Sequence, residues 1–375
     1  MNTTFKRGFA ILLAVLMLVG TVCLSACGGK TGNDKYYIGA TGPLTGDAAD
    51  YGIAVNNGAM LAIEEINAAG GLNGVLFHYE MKDDKATAAD ATIGYNALMD
   101  DGMQISIGSV TSGSCEAFAA EAVKDNLFFM TPSASTANVI ADRPNAFRVC
   151  FGDPDQGILA AQALAAGYEK IGVIYDTSDP YSYGIYEAFE SEMNKLGKAY
   201  EVKTFDKDNN KDFSAQVEAL KECDVIFLPF YYTEAGLMAK KCAEKGCTAD
   251  LYGCDGLDGI AGQIDESVTN HIKYITPFDV NATDEKTANF VKKYRETYGK
   301  DPSQFAADGY DAIYVIFEAM KAAGVDDVNI SVSDLCHKVV AAITAESFQY
   351  VGTTGTMTWD VSGAATKVPV IVELQ

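Results

Sequence analysis

Four hydroxyls and a glycine crowd the stretch "SVTSGSCEAF", residues 109–118, where an apolar run turns into a helical pattern. Three chemistries fit Thr111, Ser112, Gly113 and Ser114 at such a junction. Ser and Thr side chains cap helices by accepting from the first free N–H groups. A serine with a base in reach is a nucleophile. Hydroxyls beside the exposed N–H groups of a helix start cradle an anion, and the helix dipole favours the negative charge.

The nucleophile needs a base and a group to orient it. The chain has three histidines. His78 falls in a strand pattern, His271 in "TNHIKY" and His337 in a helical pattern, none of them a loop facing a cleft. No GxSxG, HExxH or phosphate-binding glycine loop occurs. The chain reads as a non-enzyme without cofactor. "FDKDNNKDF" alternates Asp206, Asp208, Asn210 and Asp212, but Lys211 replaces the glycine and Val217 the glutamate of a calcium loop. Asp212 is the cap of the helix that follows, and no metal site is expected.

Positioning these groups is the task of an alternating chain. "KYYIGATGP", "VLFHYEMKDD", "QISIGSV" and "LFFMTPSAS" read as strands separated by helical stretches, and after "NAFRVCFGDPDQG" the pattern restarts with "KIGVIYD". Such alternation predicts α/β lobes with parallel, doubly wound sheets. The restart carries a repeat. Asp47 stands four residues before Tyr51-Gly52-Ile53, and Asp179 four before Tyr183-Gly184-Ile185, each ahead of a helix. Ligands bind off the carboxyl ends of parallel strands, so the repeat places Tyr51 and Tyr183 on opposite walls of one cleft.

The first residues belong to another layout. Lys6 and Arg7 precede the apolar run "GFAILLAVLMLVGTV", as in a secretory signal. "LSAC", Leu24 to Cys27, resembles the bacterial lipobox, which implies lipid modification of Cys27. Residues 1–26 are then the lipoprotein signal peptide and 27–35 a linker. Without Lys6 and Arg7 the formal charge moves from −23 to −25. So acidic a chain argues against nucleic acid and against anionic headgroups. Cysteines 115, 150, 223, 242, 247, 254 and 336 form no CxxC and read as core thiols, with a Cys242–Cys247 or Cys247–Cys254 bridge left open.

"GPLTGDAADYGIAVNNGAMLAIEEINAAGGLNG" resembles the N-terminal signature of the leucine/isoleucine/valine-binding proteins of ABC importers. The segments "IGSVTSGSCEAFAAEAVKDNLFFMTPSAST", "DPDQG", "KDFSAQVEALK", "FYYTEAGLMAKKCAEKG", "YGCDGL" and "GTTGTMTWDVSGAATKVPVIVEL" follow in family order. The resemblance implies the type I periplasmic-binding-protein fold, two lobes joined by three crossings near Phe151, Thr276 and Tyr350. Lobe one would take 36–150 plus 277–349, and lobe two 151–276 plus 350–375.

The resemblance also implies ligand contacts. Ser112 falls where a serine hydroxyl and its N–H hold the ligand's α-carboxylate, Ser133 where backbone groups touch both charged ends, and Ser135 where a threonine hydroxyl contacts the ligand. Asp255 falls where a glutamate pairs with the α-ammonium. Tyr51, Tyr183 and one of Tyr231 or Tyr232 fall on the walls. Aspartate for glutamate and serine for threonine are departures, and they bear on the branched-chain preference. The expected function is an extracytoplasmic, lipid-anchored, monomeric substrate-binding protein that delivers an amino acid, branched-chain aliphatic first, to an ABC permease. The alternatives are a ligand-sensing receptor of this fold, or a binder of another small amino acid, aromatic acid or amide.

Overall fold

Alternating apolar runs and helices give two sheets, each covered by helices, in a computed structural model that describes residues 33–374. The expected leader 1–26, the lipidation position Cys27 and residues 27–32 of the linker lie outside the described residues. The first part of the chain runs β1 (Tyr36–Gly42), α1 (Ala49–Ala68), β2 (Phe77–Asp83), α2 (Ala88–Asp100), β3 (Ile105–Ser106), α3 (Ser112–Asp125), β4 (Phe129–Thr131) and β5 (Ala146–Arg148). Its sheet has the order β2-β1-β3-β4-β5, every pairing parallel. Each residue of β1 is buried, as a strand covered by helices on both faces requires.

The second part runs α4 (Asp153–Gly167), β6 (Ile171–Asp176), α5 (Pro180–Leu196), β7 (Glu201–Phe205), α6 (Ser214–Leu220), β8 (Val225–Leu228), α7 (Tyr232–Lys245), β9 (Asp250–Gly253) and β10 (Ile272–Thr276). Then come α8 (Glu285–Tyr298), α9 (Gln304–Ala322), α10 (Val332–Ile343), a hairpin of β11 (Tyr350–Gly352) and β12 (Gly355–Met357), and β13 (Val370–Leu374). The second sheet has the order β13-β10-β9-β8-β6-β7. It is parallel except for the edge, where β13 runs antiparallel to β10.

Helix α9 returns to the first lobe and lies against α1. The two backbones touch at Gly58, where an added Cβ would stand 1.9 Å from the Ala306 carbonyl oxygen. Gly58→Ala therefore forces the helices apart, and the expected cost is about 1–3 kcal/mol. A thermal melt reads it as a fall of several degrees; an unchanged midpoint would mean that the contact is not tight.

The closing segment departs from the expected division of the chain. That division gives residues from 350 onward to lobe two, but the β11–β12 hairpin is held by α9 of the first lobe. Asp311 accepts from the Thr353 and Thr354 N–H groups, each at 2.9 Å. The Trp359 indole donates to the Arg148 carbonyl at 2.7 Å. Lys367 follows, its side chain fully buried and its Nζ 2.9 Å from Asp308 Oδ1. Only β13 joins the second sheet, so the last crossing falls after Lys367 rather than near Tyr350. A hydrogen-bonded hairpin satisfies its backbone wherever it docks, and here two amides find the Asp311 carboxylate.

Among the described residues, cysteines 115, 150, 223, 242, 247, 254 and 336 are free thiols. No helix of the described residues is long and apolar enough to cross a membrane.

Candidate ligand-binding site

The hydroxyl-rich loop lies where the sequence requires, between the end of β3 and the first turn of α3. Ser112 is the first residue of α3 and is 1% exposed. Its Oγ accepts from the Thr136 N–H at 3.4 Å. The loop after β4 clasps the same segment: Ser133 Oγ donates to the Val110 carbonyl at 2.7 Å, and Thr131 Oγ1 to that of Ser109 at 2.8 Å. Thr111 occupies the cap position without a side-chain cap bond. Its Oγ1 and that of Ser114 are buried without partners. With the free N–H groups of the first helical turn, they form an uncharged, donor-rich surface.

The opposing wall comes from the second lobe. Asp255 lies two residues beyond the end of β9, after Cys254, and is 3% exposed. The Tyr181 hydroxyl donates to its Oδ1 at 2.7 Å and accepts from the Gly256 N–H at 2.8 Å. The Asp255 N–H donates to Gln156 Oε1 at 3.0 Å. Burial pushes the carboxyl up to about 6, and the Tyr181, Gln156 and Gly256 hydrogen bonds oppose that rise. The cation that acts on it, Lys367, is paired with Asp308, so an ionised carboxylate here has no ion pair of its own and is suited to receive a cation.

Aromatic rings close the space. Tyr231 stacks on Tyr181 with centroids 4.9 Å apart and planes 9° off parallel. Tyr51 meets Tyr231 edge-on at 5.5 Å and Phe305 at 4.2 Å. The Tyr51 hydroxyl crosses between lobes: it donates to the Gly256 carbonyl and accepts from the Tyr232 N–H at 3.1 Å. Burial holds the phenols of Tyr51, Tyr181 and Tyr231 far above their ordinary value, so all three stay neutral. The volume left between these walls is about 10 Å³, space for roughly one water molecule. A larger guest enters only if the lobes part or a tyrosine swings aside.

Of the residues singled out from sequence, Tyr51, Ser112, Ser133, Tyr231 and Asp255 border this one space. Ser135 lies behind it; its carbonyl accepts from the Arg148 guanidinium and from the Asp153 N–H. Tyr232 backs the ring of Tyr51 edge-on at 4.7 Å, its hydroxyl accepting from the Asp50 N–H at 3.4 Å. Tyr183 is 44% exposed and lies off this wall.

The repeat misplaced Tyr183 for a definite reason. Asp47 precedes the Ala48 cap of α1, so Tyr51 is the third residue of its helix. Asp179 is itself the cap of α5, accepting from the Ser182 N–H at 3.1 Å, so Tyr183 is the fourth. One residue along a helix turns a side chain by about 100°. Tyr181, two residues back, takes the wall. It and Phe305 were missed, although both follow helix-start signals, Asp179-Pro180 and Ser303-Gln304.

The described histidines lie elsewhere: His78 is exposed against Tyr37, with centroids 4.7 Å apart, His271 is exposed near Glu373, and His337 lies beside Asn126.

Comparison with known proteins agrees with this architecture. The family model "Periplasmic binding protein" matches residues 35–360. The chain is 29% identical to Leu/Ile/Val-binding protein homolog 1 of Brucella suis biovar 1, over 82% of this chain and 84% of that protein. The solved leucine-binding protein LivK of Thermotoga maritima superposes with a TM-score of 0.80 at 26% identity, covering 89% of this chain and 94% of that one. The branched-chain amino acid transporter substrate-binding protein LivJ of Streptococcus pneumoniae, solved with isoleucine, gives 0.77 at 26% identity, covering 91% and 100%.

Proposed function

This chain belongs to the periplasmic binding protein family, and from that premise we propose that it captures an aliphatic α-amino acid between its lobes and delivers it to an ABC permease. Its relatives are solute-binding proteins of ABC transporters, and the family's place is outside the cytoplasm. The lipid anchor at Cys27 and delivery to the permease belong to the proposal.

One observation carries the ligand: a buried carboxylate, Asp255, faces an uncharged donor surface headed by Ser112 across the same small space. An α-amino acid brings two opposite charges, and each needs a partner once water is excluded. Asp255 takes the ammonium through charge-assisted hydrogen bonds of about 1.5–3 kcal/mol. The N-terminus of α3, with the Ser112 hydroxyl, takes the carboxylate without bringing in a second desolvated charge. Tyr51, Tyr181, Tyr231 and Phe305 supply the apolar wall for the side chain. Contacts made only when both lobes touch the guest shift the population toward closure.

A thermal-shift screen tests this, because a ligand bound only by the folded chain raises its midpoint. Leucine, isoleucine or valine should raise it, while 4-methylpentanoate, which is leucine without its ammonium, should not. Equal stabilisation by the bare carboxylate would overturn the assignment of Asp255.

The raised Asp255 carboxyl adds a pH signature. Below about 6 the free protein holds this acid protonated, and an incoming ammonium must displace that proton. Affinity should therefore fall up to about tenfold per pH unit below 6 and level off above it. Calorimetry in buffers of different ionisation enthalpy should find up to one proton released per guest at pH 5. A flat profile from pH 5 to 8 would exclude an ionised Asp255 as the ammonium's partner.

A further inference from the structure

Among the seven described cysteines, two are set side by side by the way a helix ends. Helix α7 stops at Lys245, and Gly246 turns the backbone left-handed at φ 67°. The Cys247 N–H then donates back to the Cys242 carbonyl at 2.9 Å, and the Gly246 N–H to that of Ala243 at 3.3 Å. This paired closure satisfies the last helical carbonyls, and it brings the side chains of its first and sixth residues into contact. Here both of those residues are cysteines, 0% and 3% exposed. With the 2.9 Å hydrogen bond made, bond lengths alone keep their Cα atoms within about 6.8 Å. Disulfides span about 4.4–6.8 Å between Cα atoms.

The thiols meet as the backbone requires. The Cys242 S–H donates to the Cys247 sulfur, and so does the Ala249 N–H. Both bonds lower Cys247 from the ordinary thiol value, against burial, which raises it. Each of the other six described cysteines is raised, five by burial first and Cys242 by its bond to Cys247 first. The negative end of the helix dipole also disfavours a thiolate at Cys242. Asn270 fixes the far side of the turn, donating to the Cys247 and Ala249 carbonyls at 3.0 and 2.7 Å. The backbone thus holds the pair at bridging distance, with Cys247 the readier nucleophile.

We propose that Cys242 and Cys247 are a redox-active pair, closed to a disulfide by exchange with a donor disulfide. The Cys247 thiolate attacks one donor sulfur, and the other donor sulfur leaves as a thiolate. Cys242 then gives up its proton and attacks the Cys247 sulfur, and the second donor thiolate leaves. Two electrons pass from the pair to the donor, and the two protons end on the released thiols. The family's place outside the cytoplasm is where such donors act. The bridge staples the end of α7 to the segment entering β9. It lies at the opposite end of α7 from Tyr232, apart from the amino-acid pocket, and does not rest on that assignment.

The full chain, incubated with oxidised glutathione, tests this. Remaining thiols are blocked with N-ethylmaleimide, and the tryptic peptides are weighed. Trypsin cuts after Lys241 and Lys245, so Cys242 and Cys247 fall on different peptides unless a bridge joins them. Cys254 shares the Cys247 peptide, and fragment ions tell the two apart. The joined peptides should appear, lighter than their sum by two hydrogens, and dithiothreitol should part them. The oxidised protein should melt a few degrees above the reduced one. Cys242→Ser should trap glutathione on Cys247, and Cys247→Ser should leave Cys242 unmodified; the wild-type map decides even if neither variant folds. Maleimide at both positions after oxidation overturns the proposal. So does a bridge from Cys247 to Cys223 or Cys254, glutathione on Cys242 in Cys247→Ser, or an oxidised midpoint at or below the reduced one.

Discussion

Asp255→Ala should lower affinity for leucine or valine by roughly two to three orders of magnitude, the equivalent of about 3–4 kcal/mol. The loss is large because the ammonium still has to leave water, and nothing replaces the carboxylate. Tyr181, which donates to Asp255 Oδ1 at 2.7 Å, loses its acceptor as well. Folding should respond in the opposite sense. Burial raises this acid to about 6 in the folded chain, against about 3.9 when unfolded. The stability it contributes is complete below about 4 and is lost as pH rises through 6. Asp255→Asn keeps the shape without that charge, so at pH 8 it should melt at the wild-type temperature or above. A variant that melts normally and binds leucine as the wild type does would remove Asp255 from the site.

The second large effect concerns the last crossing. Lys367→Met leaves Asp308 buried without its cation, and the expected cost is about 3–5 kcal/mol at pH 8. Asp308 is 1% exposed, its Oδ2 is unpartnered, and burial already pushes it up to about 7 against the pull of Lys367. Without the ammonium it rises further, so the variant should regain stability as pH falls and the acid takes its proton. Asp308→Asn should do the reverse. An unpaired buried ammonium has a lowered folded pKa, so its penalty is fullest in acid and eases as pH rises. Urea melts of both variants between pH 5 and 9 should therefore slope oppositely. Parallel slopes would show that the pair is not buried as described.

The sequence made some of this site legible and hid the rest for physical reasons. A hydroxyl cluster at a strand-to-helix junction has few local alternatives, and Ser112 begins α3. Asp255 stood at a strand end, and the backbone there turns its side chain inward. Tyr51 and Tyr183 matched in spacing, but a single residue's difference in where each helix begins turned one inward and the other out. No periodicity specifies a cap position to that accuracy. The alternation predicted both sheets, but where the final hairpin docks is decided by Asp311, on a helix some forty residues upstream.

The Tyr51 hydroxyl binds the Gly256 carbonyl and the Tyr232 amide across the gap, so the shut arrangement has adhesion of its own that owes nothing to cargo. Uptake then waits on spontaneous parting, and the apparent dissociation constant is the intrinsic one divided by the fraction of time the gate stands ajar. In stopped flow, the rate of capture should level off at high solute at the frequency of that parting. Tyr51→Phe, by loosening the latch, should lift the plateau.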